Sequence, residues 1–365
     1  NLVAYSINMA DNVMLGNYDQ NALSGAATVN QVFFMVQQFA LSIGNALVVL
    51  ASQYWGEKRT EPMRRLTGIA LWSGLLCGLV ILIICVMMPE QLLRLFTDTP
   101  EILNEGMRYL KLLKWTFVFY MITNVLMAAL RSAETVNISF YISLVSLVVN
   151  VVINYTLIYG RFGFPEMGVV GAAIGTFIAR ILELVIVVIY IAFFDKKLHL
   201  FSTEILSIDW KLGKDYMKVA MPIVLSQVLW GISVPMQTAI LGHLSGNAIA
   251  ANSVATTFYQ YLKVIVIAMS STSAVMIGNA IGRGDMRRIR SDARTLAVID
   301  VVIGVILGAA LFVLRTPLLS MYQLTPDARI LADHLIIVMS FVMVGMSYQM
   351  PVSFGIIQGA GDTKF

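Results

Sequence analysis

Residues 11–113 recur at residues 237–339 with a constant offset of 226. Leu15-Gly16 aligns with Leu241-Gly242, and Asn21-Ala22-Leu23 aligns with Asn247-Ala248-Ile249. Ala51-Ser52-Gln53-Tyr54-Trp55-Gly56 aligns with Ile277-Gly278-Asn279-Ala280-Ile281-Gly282. Leu92-Leu93 through Pro100 aligns with Leu318-Leu319 through Pro326. A period this long requires two similar halves, so whatever one half folds into, the other must resemble.

The surroundings of those halves follow from composition. Of the 365 residues, 58% are hydrophobic and 13% are charged, against about 25% charged in a soluble domain. A helix needs about 20 apolar residues to cross a bilayer. Nine segments of that size lie near 27–53, 66–88, 108–130, 136–159, 168–194, 216–241, 248–279, 295–314 and 330–357, and residues 1–16 read as the end of one more. Runs such as 69–88 and 138–159 lack the polar alternation of a transmembrane barrel, which leaves helices as the spanning structure. The expected fold is an all-α membrane protein of about ten helices.

Lysine and arginine fix its orientation. Loops 56–65, 195–214 and 282–294, with Arg131 and Lys364, hold 15 of the 25 basic residues, and the alternate loops with their flanks hold 7. Positive loops stay in the cytoplasm. Six helices separate the start of one repeat from the start of the next, an even number that preserves direction. The halves are therefore expected to be parallel repeats around a central cavity, the arrangement of an alternating-access transporter. The expected domains are an N-lobe over 1–194, a cytoplasmic linker over 195–215 and a C-lobe over 216–365. The net charge of +4 is ordinary for an inner-membrane protein and does not point to nucleic acid. Cys77 and Cys85 are eight residues apart on one segment, too far for a disulfide, and read as apolar filler.

Several stretches carry a resemblance. The first segment ends Asn8-Met9-Ala10-Asp11-Asn12-Val13-Met14-Leu15-Gly16, the fifth reads Asn150-Val151-Val152-Ile153-Asn154-Tyr155, and the sixth opens Gly168-Val169-Val170-Gly171-Ala172-Ala173-Ile174-Gly175-Thr176. Gln358-Gly359-Ala360-Gly361-Asp362-Thr363 closes the chain's last segment. In that order and spacing, over the whole chain, they resemble the multidrug and toxic compound extrusion (MATE) family. The resemblance implies two six-helix lobes and export of amphipathic or cationic drugs in exchange for H+ or Na+, with no other cofactor. The abrupt start inside an apparent helix and the two helices by which the second repeat falls short of the first lead to the expectation of a fragment lacking the start of helix 1 and the last two helices; the expected protein is monomeric and multi-pass in the bacterial inner (plasma) membrane.

Asp11 is the leading functional residue, because a carboxylate inside an apolar helix must face a polar cavity or be neutralised by a cation. An interfacial position near the outer end of the helix is the other reading. Asn150 and Asn154, four residues apart, share one helix face and can hydrogen-bond that carboxylate or ligate Na+; interhelical bonding alone is the other role open to them. By resemblance Asp11, Asn150 and Asn154 form the coupling site, with Thr176 a further candidate. In one branch of the family the second amide position is Asp, so Asn154 removes a titratable group. Neither the seventh nor the tenth segment carries a carboxylate in its apolar span, and the repeat mate of Asp11 is Gln237. That asymmetry places coupling in the first lobe and drug contacts in the second, with Gln227, Lys263, Tyr348 and Gln349 as cavity candidates. Asp300 is a candidate partner for Lys263, and Arg180 and Glu183, three apart, are expected to pair locally. Aromatic residues such as Phe33, Tyr120 and Trp230 suit either a cavity for flat ligands or core packing.

Other classes find no support. There is no Walker A motif, no H-E-x-x-H and no G-x-S-x-G, and the three histidines are scattered, so an enzyme is not expected. A lipid-linked oligosaccharide flippase of the same broad fold is the alternative transporter, and it would favour a strongly basic cavity.

Overall fold

A computed structural model of the chain describes the backbone of residues 2–97, 99–195, 197–200, 203–207, 209–244, 246–320 and 326–363. Within these ranges side chains are described from residue 10 onward, except 203, 206, 232, 234–244, 246–250 and 253. The described residues form helices α1 (Leu2–Tyr18), α2 (Gln20–Gly56), α3 (Thr60–Met87), α4 (Pro89–Arg94), α5 (Pro100–Ser132) and α6 (Asn137–Ile158). They continue with α7 (Val169–Phe193), α8 (Trp210–Leu244), α9 (Gly246–Gly282), α10 (Met286–Ser320) and α11 (Pro326–Met350). Among the described residues, eight helices are long and apolar enough to cross a bilayer. Much of α8, expected to span at 216–241, falls on residues whose side chains lie outside the described set.

The helices overrun the apolar segments. α2 begins at Gln20 rather than near residue 27, because Gln20, Asn21 and Ser24 contain no breaker; Ser24 Oγ donates back to the Gln20 carbonyl at 2.9 Å. Two elements went unforeseen. The six-residue α4 starts on Pro89, whose missing N–H costs nothing in a first turn, and an Arg94–Glu90 pair at 2.7 Å closes it. The apolar run near 330–357 is also interrupted: Pro351 cannot supply an α-helical N–H, and residues Pro351–Ile357 form a π-helical turn.

The chain divides into two compact units, Asn1–Leu47 with Thr60–Val224, and Val48–Arg59 with Leu225–Phe365. In the first, α6 packs on α1 and α7, and α5 on α3 and α7. The burial pattern reverses that of a soluble protein. On α6 the inward stripe is Ile142, Ser146, Asn150, Asn154 and Ile158, a strict four-residue spacing, whereas Val145, Val148 and Val152 are exposed. With lipid as solvent the apolar face turns outward and the polar face is enclosed.

In the second unit α9, α10, α11 and the π turn pack together. The lower end of α2, Val48–Arg59, belongs here, and it meets the equivalent part of the repeat. A Cβ on Gly56 would run into the Asn279 carbonyl, and one on Gly282 would run into the Gln53 carbonyl. Residue 279 is the repeat mate of 53, and 282 of 56, so the two contacts are reciprocal. Between them a Cβ on Gly278 would strike Oγ of Ser52, its own repeat mate. Gln53 Nε2 also donates to the Gly359 carbonyl at 3.3 Å.

Candidate functional site

α1, α6 and α7 bring the first lobe's four candidates into one buried network. Asp11 is 4% exposed, Asn150 and Asn154 are fully enclosed, and Thr176 is 6% exposed. Asn154 Nδ2 donates to Asp11 Oδ1, and Thr176 Oγ1 donates to Asp11 Oδ2 at 3.2 Å. Asn150 Nδ2 reaches Thr176 Oγ1 at 3.4 Å, and Asn154 Nδ2 reaches Asn150 Oδ1 at 3.4 Å. The carboxylate thus receives a donor on each oxygen, the arrangement that best offsets removing a negative charge from water. Asn154 Oδ1 is buried and has no hydrogen-bond partner.

Local sequence explains this convergence. The four-residue spacing stacks Asn150 and Asn154 on one face of α6. On α7, Gly175 faces Asn154: a Cβ there would lie 3.0 Å from Asn154 Cγ and closer still to Oδ1. Gly171 likewise lets α7 approach the Leu157 carbonyl, at 2.8 Å from its own absent Cβ. These small residues admit the amide between helices. At the end of α1, the Tyr159 hydroxyl donates to the Met14 carbonyl at 2.8 Å, tying α1 to the end of α6.

One turn along α7 from Thr176, Arg180 is buried and bridges to Glu183 at 2.8 Å, as the local spacing implied; the two side chains are 5% and 6% exposed. Less legible was its aromatic housing. The guanidinium lies 5.6 Å from the Phe33 ring centroid and 5.0 Å from that of Tyr120, and Phe33 stacks in turn on Phe117. Phe33 and Tyr120 therefore hold a buried cation, a use of aromatic faces that neither residue's own surroundings in the sequence announce.

The second lobe's candidates do not converge in the same way. Lys263 is 6% exposed, and its Nζ sits 4.7 Å from the Trp230 ring centroid. Among the described residues it forms no ion pair, with Asp300 or any other acid. Gln227 on α8 is half-buried, and Tyr348 and Gln349 on α11 are exposed. Gln349 Nε2 has a local contact with Ser353 Oγ at 3.5 Å. The side chain of Gln237 lies outside the described residues. No group of three or more His, Cys, Asp or Glu among the described residues is placed to hold a metal ion.

The MatE family model matches residues 1–156 and 222–365. A probable multidrug resistance protein NorM from Rhizobium meliloti is 28% identical over 99% of the chain and 78% of its own length. A multidrug resistance protein MdtK from Photorhabdus laumondii is 21% identical over 98% and 79%. Among solved structures, MATE in the straight conformation superposes with a TM-score of 0.89 at 19% identity, covering all of the chain and 80% of that protein. A transporter of the MOP superfamily from Pyrococcus furiosus superposes at 0.88, also at 19% identity, over 99% and 80%.

Proposed function

The chain belongs to the MatE family, and from that premise we propose that it is a secondary active efflux antiporter. It exchanges H+ or Na+ for amphipathic or cationic organic compounds by alternating access across the bacterial inner membrane. The observation that carries this reading is the enclosed Asp11 carboxylate with Asn150, Asn154 and Thr176 around it. The names of the bacterial relatives, multidrug resistance proteins, support the substrate class.

An ionised carboxylate inside a helical bundle is costly unless compensated. Ion uptake at Asp11 cancels its charge and alters which donors the network needs; ion release restores it. Bound Na+ has four oxygen-bearing groups to draw on: the Asp11 carboxylate, Asn150 Oδ1, Thr176 Oγ1 and the unpartnered Asn154 Oδ1. A proton instead turns one carboxylate oxygen into a donor: on Oδ2 it can be accepted by the Thr176 hydroxyl, and on Oδ1 it requires Asn154 to turn its amide oxygen towards it. Either event favours one arrangement of the lobe over another, and an ion shifts that equilibrium only by its difference in affinity for the two. Gln227, Lys263, Tyr348 and Gln349 are the drug contacts in this reading, and the working unit is a monomer.

The test is dye efflux by everted membrane vesicles carrying wild type or Asp11→Asn, matched for protein in the membrane. Asparagine keeps the shape and removes the exchangeable charge, so efflux is expected to fall to the level of vesicles without the protein. Wild-type efflux from the variant overturns the reading. Imposing a Na+ gradient at clamped pH, and then the converse, identifies the driving ion.

A further inference from the structure

The start of α10 carries a basic face that the antiport cycle leaves unused. Arg287, Arg290 and Arg294 are exposed, and spacings of three and four residues keep them within about 60° of one another around the helix. The same line continues through Val298, Val301 and Val305, which are 57%, 38% and 51% exposed. Residues 287 and 305 are about five turns apart, so the arginines prolong the stripe that α10 turns to lipid. The acids of this segment are elsewhere. Asp292 lies on the opposite side of the helix and pairs with Arg288 at 3.5 Å, and Asp285 Oδ1 accepts from the Arg288 N–H at 3.0 Å. Among the described residues none of the three arginines of the stripe forms an ion pair.

Their depth follows from the sequence of the helix. From Leu296 to Leu314 α10 is apolar apart from Asp300, a length of about 28 Å against a hydrocarbon core of about 30 Å. Arg294 therefore stands at the edge of the core, and Arg290 and Arg287 follow about 6 and 10 Å further out, where side chains this long reach the headgroup layer. The first copy of the repeat shows the equivalent face occupied. Arg64 and Gly68 are the repeat mates of Arg290 and Arg294. Arg64 Nε donates to the Leu198 carbonyl at 2.7 Å, and its Nη1 bridges to the Glu204 carboxylate at 3.0 Å. A Cβ on Gly68 would run into the Ile205 carbonyl, so the linker lies directly on that helix. In the second copy an arginine replaces the glycine that admits the linker, and the face stays exposed.

We propose that the Arg287–Arg290–Arg294 face holds the headgroup of an anionic phospholipid from the cytoplasmic leaflet. Guanidinium groups match phosphate oxygens two bonds at a time, and the acyl chains of the same lipid then run along Val298, Val301 and Val305. Both halves of an amphiphile thus find their complement on one unbroken line. An acidic protein segment would satisfy the arginines but would have nothing to lay against the valines inside the hydrocarbon. Membrane topology alone asks for basic residues in the 282–294 loop; it does not ask that three of them share the lipid-facing line while Asp292 is kept off it. The first copy meets its own arginine with a carboxylate from the linker, and the second leaves the anion to be supplied by the bilayer. This site is separate from the Asp11 network and does not depend on it.

The experiment is native mass spectrometry of the purified full chain in an uncharged detergent, titrated with phosphatidylglycerol or phosphatidylcholine and read as occupancy by the first lipid. Wild type is expected to prefer phosphatidylglycerol. Each arginine near an anionic headgroup is worth about fivefold in affinity, so Arg287→Gln/Arg290→Gln/Arg294→Gln should bind phosphatidylglycerol roughly 100-fold more weakly. Lys58→Gln/Lys211→Gln/Lys214→Gln removes the same three charges from other exposed positions and should stay within about twofold of wild type. Thermal unfolding of the same samples shows that both variants are folded, as expected for exposed side chains. Four results overturn the proposal: no preference of wild type for phosphatidylglycerol, equal binding of it by wild type and the arginine variant, an equal loss in the lysine variant, or displacement of the lipid by inorganic phosphate at equal concentration.

Discussion

Removing one member of the Arg180–Glu183 pair should be far more damaging than removing both. The pair is enclosed at 5% and 6% exposure with a 2.8 Å contact, and breaking such a pair leaves an uncompensated charge at a cost of about 3–5 kcal/mol. The two single substitutions are not equivalent. Arg180→Met leaves the enclosed Glu183 carboxylate without its partner and should reach that full range. Glu183→Gln leaves the guanidinium on the faces of Phe33 and Tyr120; each face is worth about 0.5–2 kcal/mol, so this variant should be milder by about 1–4 kcal/mol. The double variant Arg180→Met/Glu183→Leu replaces two ions by apolar groups of similar size and should lie within about 1 kcal/mol of wild type. Reversible unfolding in mixed micelles titrated with SDS measures all four proteins. A coupling energy under about 0.5 kcal/mol, the level of independent sites, would refute this reasoning, as would Glu183→Gln proving worse than Arg180→Met.

Other perturbations bear on the close approaches. Gly175→Ala places a Cβ 3.0 Å from Asn154 Cγ, where carbon atoms prefer about 3.5–4.0 Å. The Cβ would lie closer still to Oδ1, so the amide must retreat by more than about 1 Å, and dye efflux should drop along with a stability loss of about 1–3 kcal/mol; unchanged efflux would show that the position of Asn154 does not matter. Gly282→Leu should unseat the lower end of α2, raising amide hydrogen exchange across 48–59. Gly345→Leu, at a helical position with open space around it, should leave that exchange alone.

What could be read from the residues alone was set by how hydrophobic the chain is. In continuous apolar runs, Asp11, Asn150 and Asn154 have few physical uses besides facing one another, and the four-residue spacing assigns the amides to one side of α6. Lys263 stood out for the same reason, with a cavity-facing role and a pairing both open to it. Asp300 was the only acid nearby in the pattern, and the ammonium rests instead on Trp230, an aromatic from another helix. The aromatic seats of Arg180 come from α2 and α5, about 147 and 60 positions away in sequence, and no periodicity links them. Gly175 read as one small residue in a family-like stretch; that it makes room for a particular amide depends on the distance between α6 and α7.

Ser52 and Gly278 occupy the same place in the two copies and touch each other. A residue that meets its own duplicate sits where a twofold operation maps a point onto itself, and two identical side chains there would compete for one volume. Separate identical subunits have no escape from that conflict except a residue small enough on both sides. Joined in a single polypeptide, the copies are free to differ: one keeps a hydroxyl and the other gives up its side chain to receive it. Unlike partners at that spot are something gene fusion permits and a symmetric dimer forbids.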